Sequence, residues 1–255
     1  MDKVLNLYKP RGETPLETLQ AYVVAHPEYA KEKMTYAGRL DPMAEGVLLA
    51  LVGEETKDRE AYTALSKEYV FEWIFGLETD TYDLLGLVKP VESFVEPKEK
   101  EIADFIKKTI GKISQSYPPF SSKVVGGKSL FALAKGGRIR KEDLPFHEVE
   151  IRDAEYLGSR EISKAELLDF IEKTVASVKG DFRQKQILAD WKNRLSKSDR
   201  ETYAIYKARV GVTSGFYVRQ FVFDIGAHFK SNAVTFSILR TKVGSYSVDR
   251  SLHLL

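Results

Sequence analysis

The segment that most constrains the fold is 38–52, GRLDPMAEGVLLALV. Its second half, Gly46 to Val52, is a continuous apolar run with the length of a buried strand and not of a membrane span. Its first half places an aspartate, Asp41, directly before Pro42 and between two glycines, Gly38 and Gly46. Pro42 contributes no backbone donor and pushes Asp41 toward an extended conformation, while the glycines permit tight or closely approached backbone. The pattern predicts a carboxylate held rigidly at the edge of a sheet. On its own it marks a structural turn more often than a catalytic group, because aspartate is common in turns.

The rest of the chain supplies elements around that strand. Val4–Leu7 predicts a strand, and Thr14-Pro15-Leu16-Glu17 predicts a helix start with a capping box and proline at the first position. Tyr69–Phe75 alternates aromatic residues with others as a sheet strand does. Lys98–Ile110 and Tyr217–Ile225 predict amphipathic helices, and Tyr203–Val212 and Val243–Val248 predict strands. Between strand-like regions lies a helical pair: Ser163 and Glu166 form a second capping box, Gly180 stops the first helix, and Asp181 is expected to cap the second. Residues 162–198 therefore read as an αα-hairpin inserted in the main domain, self-contained and net basic in its second half. Mixed elements without a βαβ rhythm predict an α+β fold on a largely antiparallel mixed sheet flanked by helices.

The chain of 255 residues has no cysteine, which excludes disulfides, thiolate nucleophiles and cysteine-ligated metals. Its four histidines have no metal-ligand spacing, so no metal is expected. The N-terminus has no signal-peptide h-region, which fits a cytoplasmic protein. Net charge is only +2, but Lys123, Lys128, Lys135, Arg138, Arg140 and Lys141 form a run without a single acid, interleaved with glycine. From charge alone such a run is a solvated loop more often than a nucleic-acid contact.

Taken in order, the motifs resemble those of TruB-type tRNA pseudouridine synthases. GRLDPMAEGVLLALVGEETK, at 38–57, is similar to the family's GxLDPxAxGVLxxxxGxxTK motif, and Tyr8-Lys9-Pro10-Arg11-Gly12 to its KPxG element. Lys67-Glu68-Tyr69 with Gly76 and Thr79-Asp80-Thr81-Tyr82-Asp83 resembles KxY…GxxTDTxD. Gln115–Lys123 resembles QxPPxYSAxK, Gly215–Arg219 resembles GTYIR, and Leu239-Arg240-Thr241 resembles LRRT. The resemblance implies one pseudouridine synthase catalytic domain over 1–255, carrying the hairpin and no C-terminal PUA domain. It implies that Asp41 is the catalytic carboxylate, Tyr69 the tyrosine stacking on the target base, and Arg219 the arginine pairing with Asp41. Tyr217 and Leu239 fall near the base pocket, and Lys9 belongs to the expected RNA-binding set. The basic run follows the PPxYSAxK element, so Lys123, Lys128, Arg138 and Arg140 become expected RNA contacts.

The implied substrate is the T-arm stem-loop of tRNA, with uridine 55 flipped out and isomerised without a cofactor or an obligatory protein partner. The chemistry needs an ionised carboxylate in a dry pocket, an arginine to hold it, bidentately by expectation, and an aromatic face for the displaced base. Where family members often carry a histidine that wedges into the RNA loop, this chain has Tyr36. The hairpin reads either as an added RNA-contacting arm or as a solvated decoration, since basic surface helices are common. Two other readings stay open: an RNA-binding protein without catalysis, and a carboxylate hydrolase pairing Asp41 with Asp80 or Asp83.

Overall fold

The computed structural model describes residues 2–91 and 94–254. The elements run β1 (Val4–Lys9), α1 (Pro15–Ala25), β2 (Met34–Ala37), β3 (Ala44–Val52), α2 (Arg59–Ala64), β4 (Lys67–Phe75), α3 (Glu99–Lys108) and β5 (Gly111–Ser116). After them come β6 (Val124–Val125), β7 (Lys128–Ser129), α4 (Leu130–Lys135), β8 (Phe146–Ser163), α5 (Lys164–Ser177) and α6 (Gln184–Ser196). The chain closes with β9 (Thr202–Val212), α7 (Val218–His228), β10 (Ala233–Val243) and β11 (Tyr246–Ser247).

One mixed sheet organises the domain in the order β1-β3-β10-β4-β9-β8-β5, with β2 beside β3 and β11 beside β10. Its strands pair antiparallel except for β3 with β10, which run parallel and register Gly46 against Arg240. The fold is thus α+β, as the sequence predicts. Alternation along β4 sends Tyr69, Phe71, Trp73 and Phe75 to one face, where α7 packs Phe221, Val222 and Ile225 and α3 packs Ile102 and Ile106. Ile74 points to the other face and meets Val234 and Phe236 of β10.

The apolar part of that second face is covered by α5 and α6. Leu167, Ile171 and Val175 from α5 join Ile187, Trp191 and Leu195 from α6 in one cluster with Ile74, Phe236 and Met43. The hairpin is therefore a layer of the core and not a self-contained arm. Its apolar stripes are wide enough to meet both each other and the sheet, which a reading of each helix alone does not reveal.

Two local expectations are corrected and one element is new. The Ser163 and Thr14 capping boxes are present, but α6 begins at Gln184 with Arg183 before it, and Asp181 does not cap it. The predicted strand 243–248 is the end of the long β10, a turn at Gly244 with φ +55°, and the short β11. The 18-residue β8 has no counterpart among the expected elements, because much of it is solvent-facing and polar.

Candidate active site

Asp41 sits in the loop joining β2 to β3, and that loop is tied down at three points. Arg240 Nη1 donates to the Arg39 carbonyl at 3.0 Å, Gly12 N–H to the Pro42 carbonyl at 2.8 Å, and Lys9 Nζ to the Ala44 carbonyl at 2.6 Å. Arg240 can take this position because Gly46 lies beside it: φ at Gly46 is +108°, and a Cβ there would stand 2.3 Å from the Arg240 carbonyl oxygen. Buried Arg240 also donates from Nε to the Val47 carbonyl at 2.8 Å. The Asp41 carboxylate is left 36% exposed at the head of this braced loop.

Arg219 comes from the first turn of α7. Gln115, fully buried at the end of β5, accepts from the Tyr217 N–H at 2.8 Å and donates to the Tyr217 carbonyl at 3.1 Å, which fixes the start of that helix. Arg219 donates from Nε to Asp41 Oδ2 at 2.7 Å, from Nη1 to the Thr81 carbonyl at 2.8 Å, and from Nη2 to the Phe120 carbonyl at 3.1 Å. The pairing with Asp41 is thus through one nitrogen, not the bidentate fork expected from sequence. A second carboxylate, Asp83, has Oδ2 at 3.6 Å from the same Nε; its Oδ1 accepts from Thr81 Oγ1 and the Leu85 N–H.

Burial and charge oppose each other in this cluster. Desolvation lowers the Arg219 pKa, but Asp41 and Asp83 outweigh it and raise the value, so the guanidinium is a fixed cation. Burial pushes the Asp83 carboxyl up to about 6 against the pull of Arg219. Burial lowers Lys67 to about 8, with Arg240 adding to the effect.

A cleft of about 860 Å³ opens over Asp41, with Tyr69, Tyr217, Leu40 and Ile238 on its walls and Tyr36 near Arg59 along its side. The site therefore offers one carboxylate, backed by a buried cation, to an aromatic and aliphatic cleft. It is not a pair of carboxylates flanking a bond: Asp41 and Asp83 converge on one guanidinium, and Asp80 is engaged by Arg183 at 2.8 Å. Among the described residues no cluster of three or more histidine and acidic side chains could hold a metal ion. No helix among them is long and apolar enough to cross a membrane.

The expected site residues divide. Asp41, Tyr69, Arg219, Tyr217 and Tyr36 all line the cleft. Lys9 does not face solvent: it is fully buried, bonded to the Ala44 and Pro10 carbonyls, and burial lowers its pKa to about 7. Its place is inside the loop scaffold and not on an RNA surface. Leu239 is displaced by the strand period, since its neighbours Ile238 and Arg240 point into the cleft and it does not. Lys123, Lys128, Arg138 and Arg140 are exposed as expected, on the segment forming one rim, but Arg140 is already paired with Asp143 at 2.9 Å. The side chain of Lys141 lies outside the described residues.

Sequence reasoning missed the carbonyls of Thr81 and Phe120, which carry no side-chain signature. It also missed the role of Gln115, although Gln115 opens a quoted motif, and Asp181, Phe182 and Arg183 of the hairpin turn, which line the cleft without any motif.

Residues 27–184 match the family profile described as TruB family pseudouridylate synthase (N terminal domain). The chain is 27% identical over 250 residues to the tRNA pseudouridine synthase B of Fusobacterium nucleatum, covering 98% of this chain and 70% of that one. It is 29% identical over 264 residues to the protein of the same name from Aquifex aeolicus, covering 100% and 72%. Among solved structures, the fold is similar to a Cbf5-Nop10-Gar1 complex, with TM-score 0.58, 19% identity, and 98% of this chain covered. It is also similar to an archaeal box H/ACA sRNP Nop10-Cbf5 complex, with TM-score 0.56 and 18% identity. The chain spans about half the length of those solved chains, 52% and 50%. With more than half of its length inside the family profile, the chain belongs to the TruB family of pseudouridylate synthases.

Proposed function

We propose that the cleft isomerises uridine 55 in the T-loop of tRNA to pseudouridine, with Asp41 as the nucleophile. The reaction breaks the bond from uracil N1 to C1′, turns the ring, and joins C5 to C1′. The proton lost at C5 is balanced by one gained at N1, so no oxidant or second substrate is consumed. The observation that carries the reading is the hydrogen bond from Arg219 Nε to Asp41 Oδ2, 2.7 Å long, at the base of an aromatic cleft. A fixed cation behind the carboxylate supplies a charge partner without needing reorganisation during the reaction.

In this reading Tyr69 stacks on a base drawn out of the loop, and Tyr217 and Ile238 enclose it; all three line the cleft. Tyr36, which also lines the cleft, takes the part of the aromatic wedge in this reading. A T-arm is recognised by shape, phosphates and unstacked loop bases, for which the exposed Lys123, Lys128 and Arg138 are suited.

The test is to incubate purified protein with unmodified tRNA transcript and map pseudouridine by carbodiimide labelling. Wild type should give one stop at position 55. Asp41→Asn should give none while binding the same tRNA within several-fold, since binding rests mainly on phosphate contacts. No modification by wild type, or substantial turnover by the Asn variant, would overturn the reading.

A further inference from the structure

The turn of the α5–α6 hairpin reaches the cleft, and Arg183 there adopts the left-handed conformation, φ 61° and ψ 24°. For a residue that is neither glycine nor asparagine this costs on the order of 1 kcal/mol or more. Three contacts offset it. Arg183 donates from Nη1 at 2.8 Å and Nη2 at 3.4 Å to the two oxygens of Asp80, and its guanidinium carbon stands 5.1 Å from the centre of the Phe120 ring.

Both partners lead to Arg219. The carbonyl of Phe120 accepts from Arg219 Nη2, and the carbonyl of Thr81, next to Asp80, accepts from Arg219 Nη1. Asp80 Oδ1 also accepts from the Leu87 N–H at 2.7 Å, which closes the loop bearing Thr81. On its other side Phe120 meets Phe131, which in turn meets Phe182 of the hairpin turn. One half-buried guanidinium thus pins the two separate loops whose carbonyls orient the Asp41 partner.

We propose that Arg183 is a positioning residue for the Asp41–Arg219 pair, acting through Asp80 and Phe120. The inference rests on the reading of the cleft as a pseudouridylation site. It gives the hairpin a role in the rate of the reaction in place of one in RNA capture.

The test measures the single-turnover rate at saturating tRNA, and tRNA affinity at several salt concentrations, for wild type, Arg183→Met, Arg183→Lys, Asp80→Asn and the Met/Asn double variant. Arg183→Met should lower the saturating rate about 10-fold or more, because a displacement near 1 Å in a reacting pair is costly. Affinity should stay within about 3-fold with an unchanged salt slope. Asp80→Asn should give a similar loss of rate, and the double variant should be no slower than the slower single, as expected of residues acting through one contact. Lysine at 183 keeps the charge without the planar fork and should recover the rate only in part. Weakened binding with a flattened salt slope and a normal saturating rate would make Arg183 a direct phosphate contact and overturn the inference, as would a normal rate in both Arg183→Met and Asp80→Asn. A wild-type protein that makes no pseudouridine would instead sink the underlying functional reading.

Discussion

Arg219 gives Asp41 a single hydrogen bond, from Nε at 2.7 Å, and directs its two remaining nitrogens to the carbonyls of Thr81 and Phe120. The carboxylate is therefore oriented by a guanidinium that is itself oriented by backbone. Neither carbonyl can be altered by side-chain substitution, so the arginine is the direct point at which the arrangement can be probed.

Arg219→Lys is predicted to lose activity by roughly 100-fold or more. An ammonium can reach one or two of the three acceptors but cannot fill a planar set of three, and its more strongly hydrated charge is harder to bury. The measurement is the single-turnover rate of pseudouridine formation at saturating tRNA. A lysine variant within a few-fold of wild type would mean that charge alone, and not the directed donors, supports Asp41.

Asp83 predicts a pH effect on stability. Its folded value is raised from 3.8 to about 6, chiefly by burial. As pH climbs from about 4 to about 6 the unfolded chain releases this proton first, so folding becomes less favourable across that window. The contribution is fully present below pH 4 and lost above pH 6. Asp83→Asn keeps a neutral group at every pH, so the stability gap between wild type and variant should shift in favour of the variant as pH rises through the window. Urea unfolding of both proteins at several pH values checks this; a gap that is constant, or that moves the other way, would refute it.

The sequence makes legible what side chains encode by type and spacing. The apolar run 46–52, the alternation in Tyr69–Phe75 and the two capping boxes each carry their own local physics, and each forms the predicted element. Asp41, Tyr69 and Arg219 were legible only through ordered motifs, because a turn aspartate, a strand tyrosine and a helix arginine are individually ordinary. What stayed hidden depends on backbone or on distant pairing. The acceptors of Arg219 are carbonyls, Lys9 is buried by strands it does not adjoin in sequence, and Leu239 lost its expected place to Ile238 by one step of strand alternation. The hairpin's place in the core is hidden for the same reason: its stripes are visible in sequence, but the surface they cover is not.

Gly46→Ala is predicted to destabilise the fold by about 2 kcal/mol or more. The new Cβ would lie 2.3 Å from the Arg240 carbonyl oxygen, and the backbone φ of +108° disfavours any side chain. The parallel seam between β3 and β10 would have to open, and Arg240 would lose its hold on the Arg39 carbonyl just ahead of Asp41. Activity should fall even where the variant remains folded. Wild-type stability in chemical denaturation would show that the two strands do not approach this closely.

Trp191 lies on the inner side of α6. It is completely buried, its indole Nε1 donates to the Leu84 carbonyl at 3.1 Å, and it belongs to the cluster containing Ile74, Val234 and Phe236 of the sheet. Trp191→Ala should cost about 3–5 kcal/mol, the usual loss for a large aromatic removed from a packed core, with the orphaned Leu84 carbonyl adding to it. A solvated decoration would behave differently, since a surface substitution outside special sites changes stability by about 0.5 kcal/mol or less. For the same reason, exchanging residues 162–198 for a short flexible loop should abolish cooperative folding, because it uncovers the apolar patch of Ile74, Ile205, Val234 and Phe236 on the sheet. Urea denaturation of the Trp191 variant separates the two cases. A loss below about 1 kcal/mol would return the hairpin to the status of an appendage, and a loss in the larger range would make it a required layer, with Arg183 at its turn held in place by the core beneath.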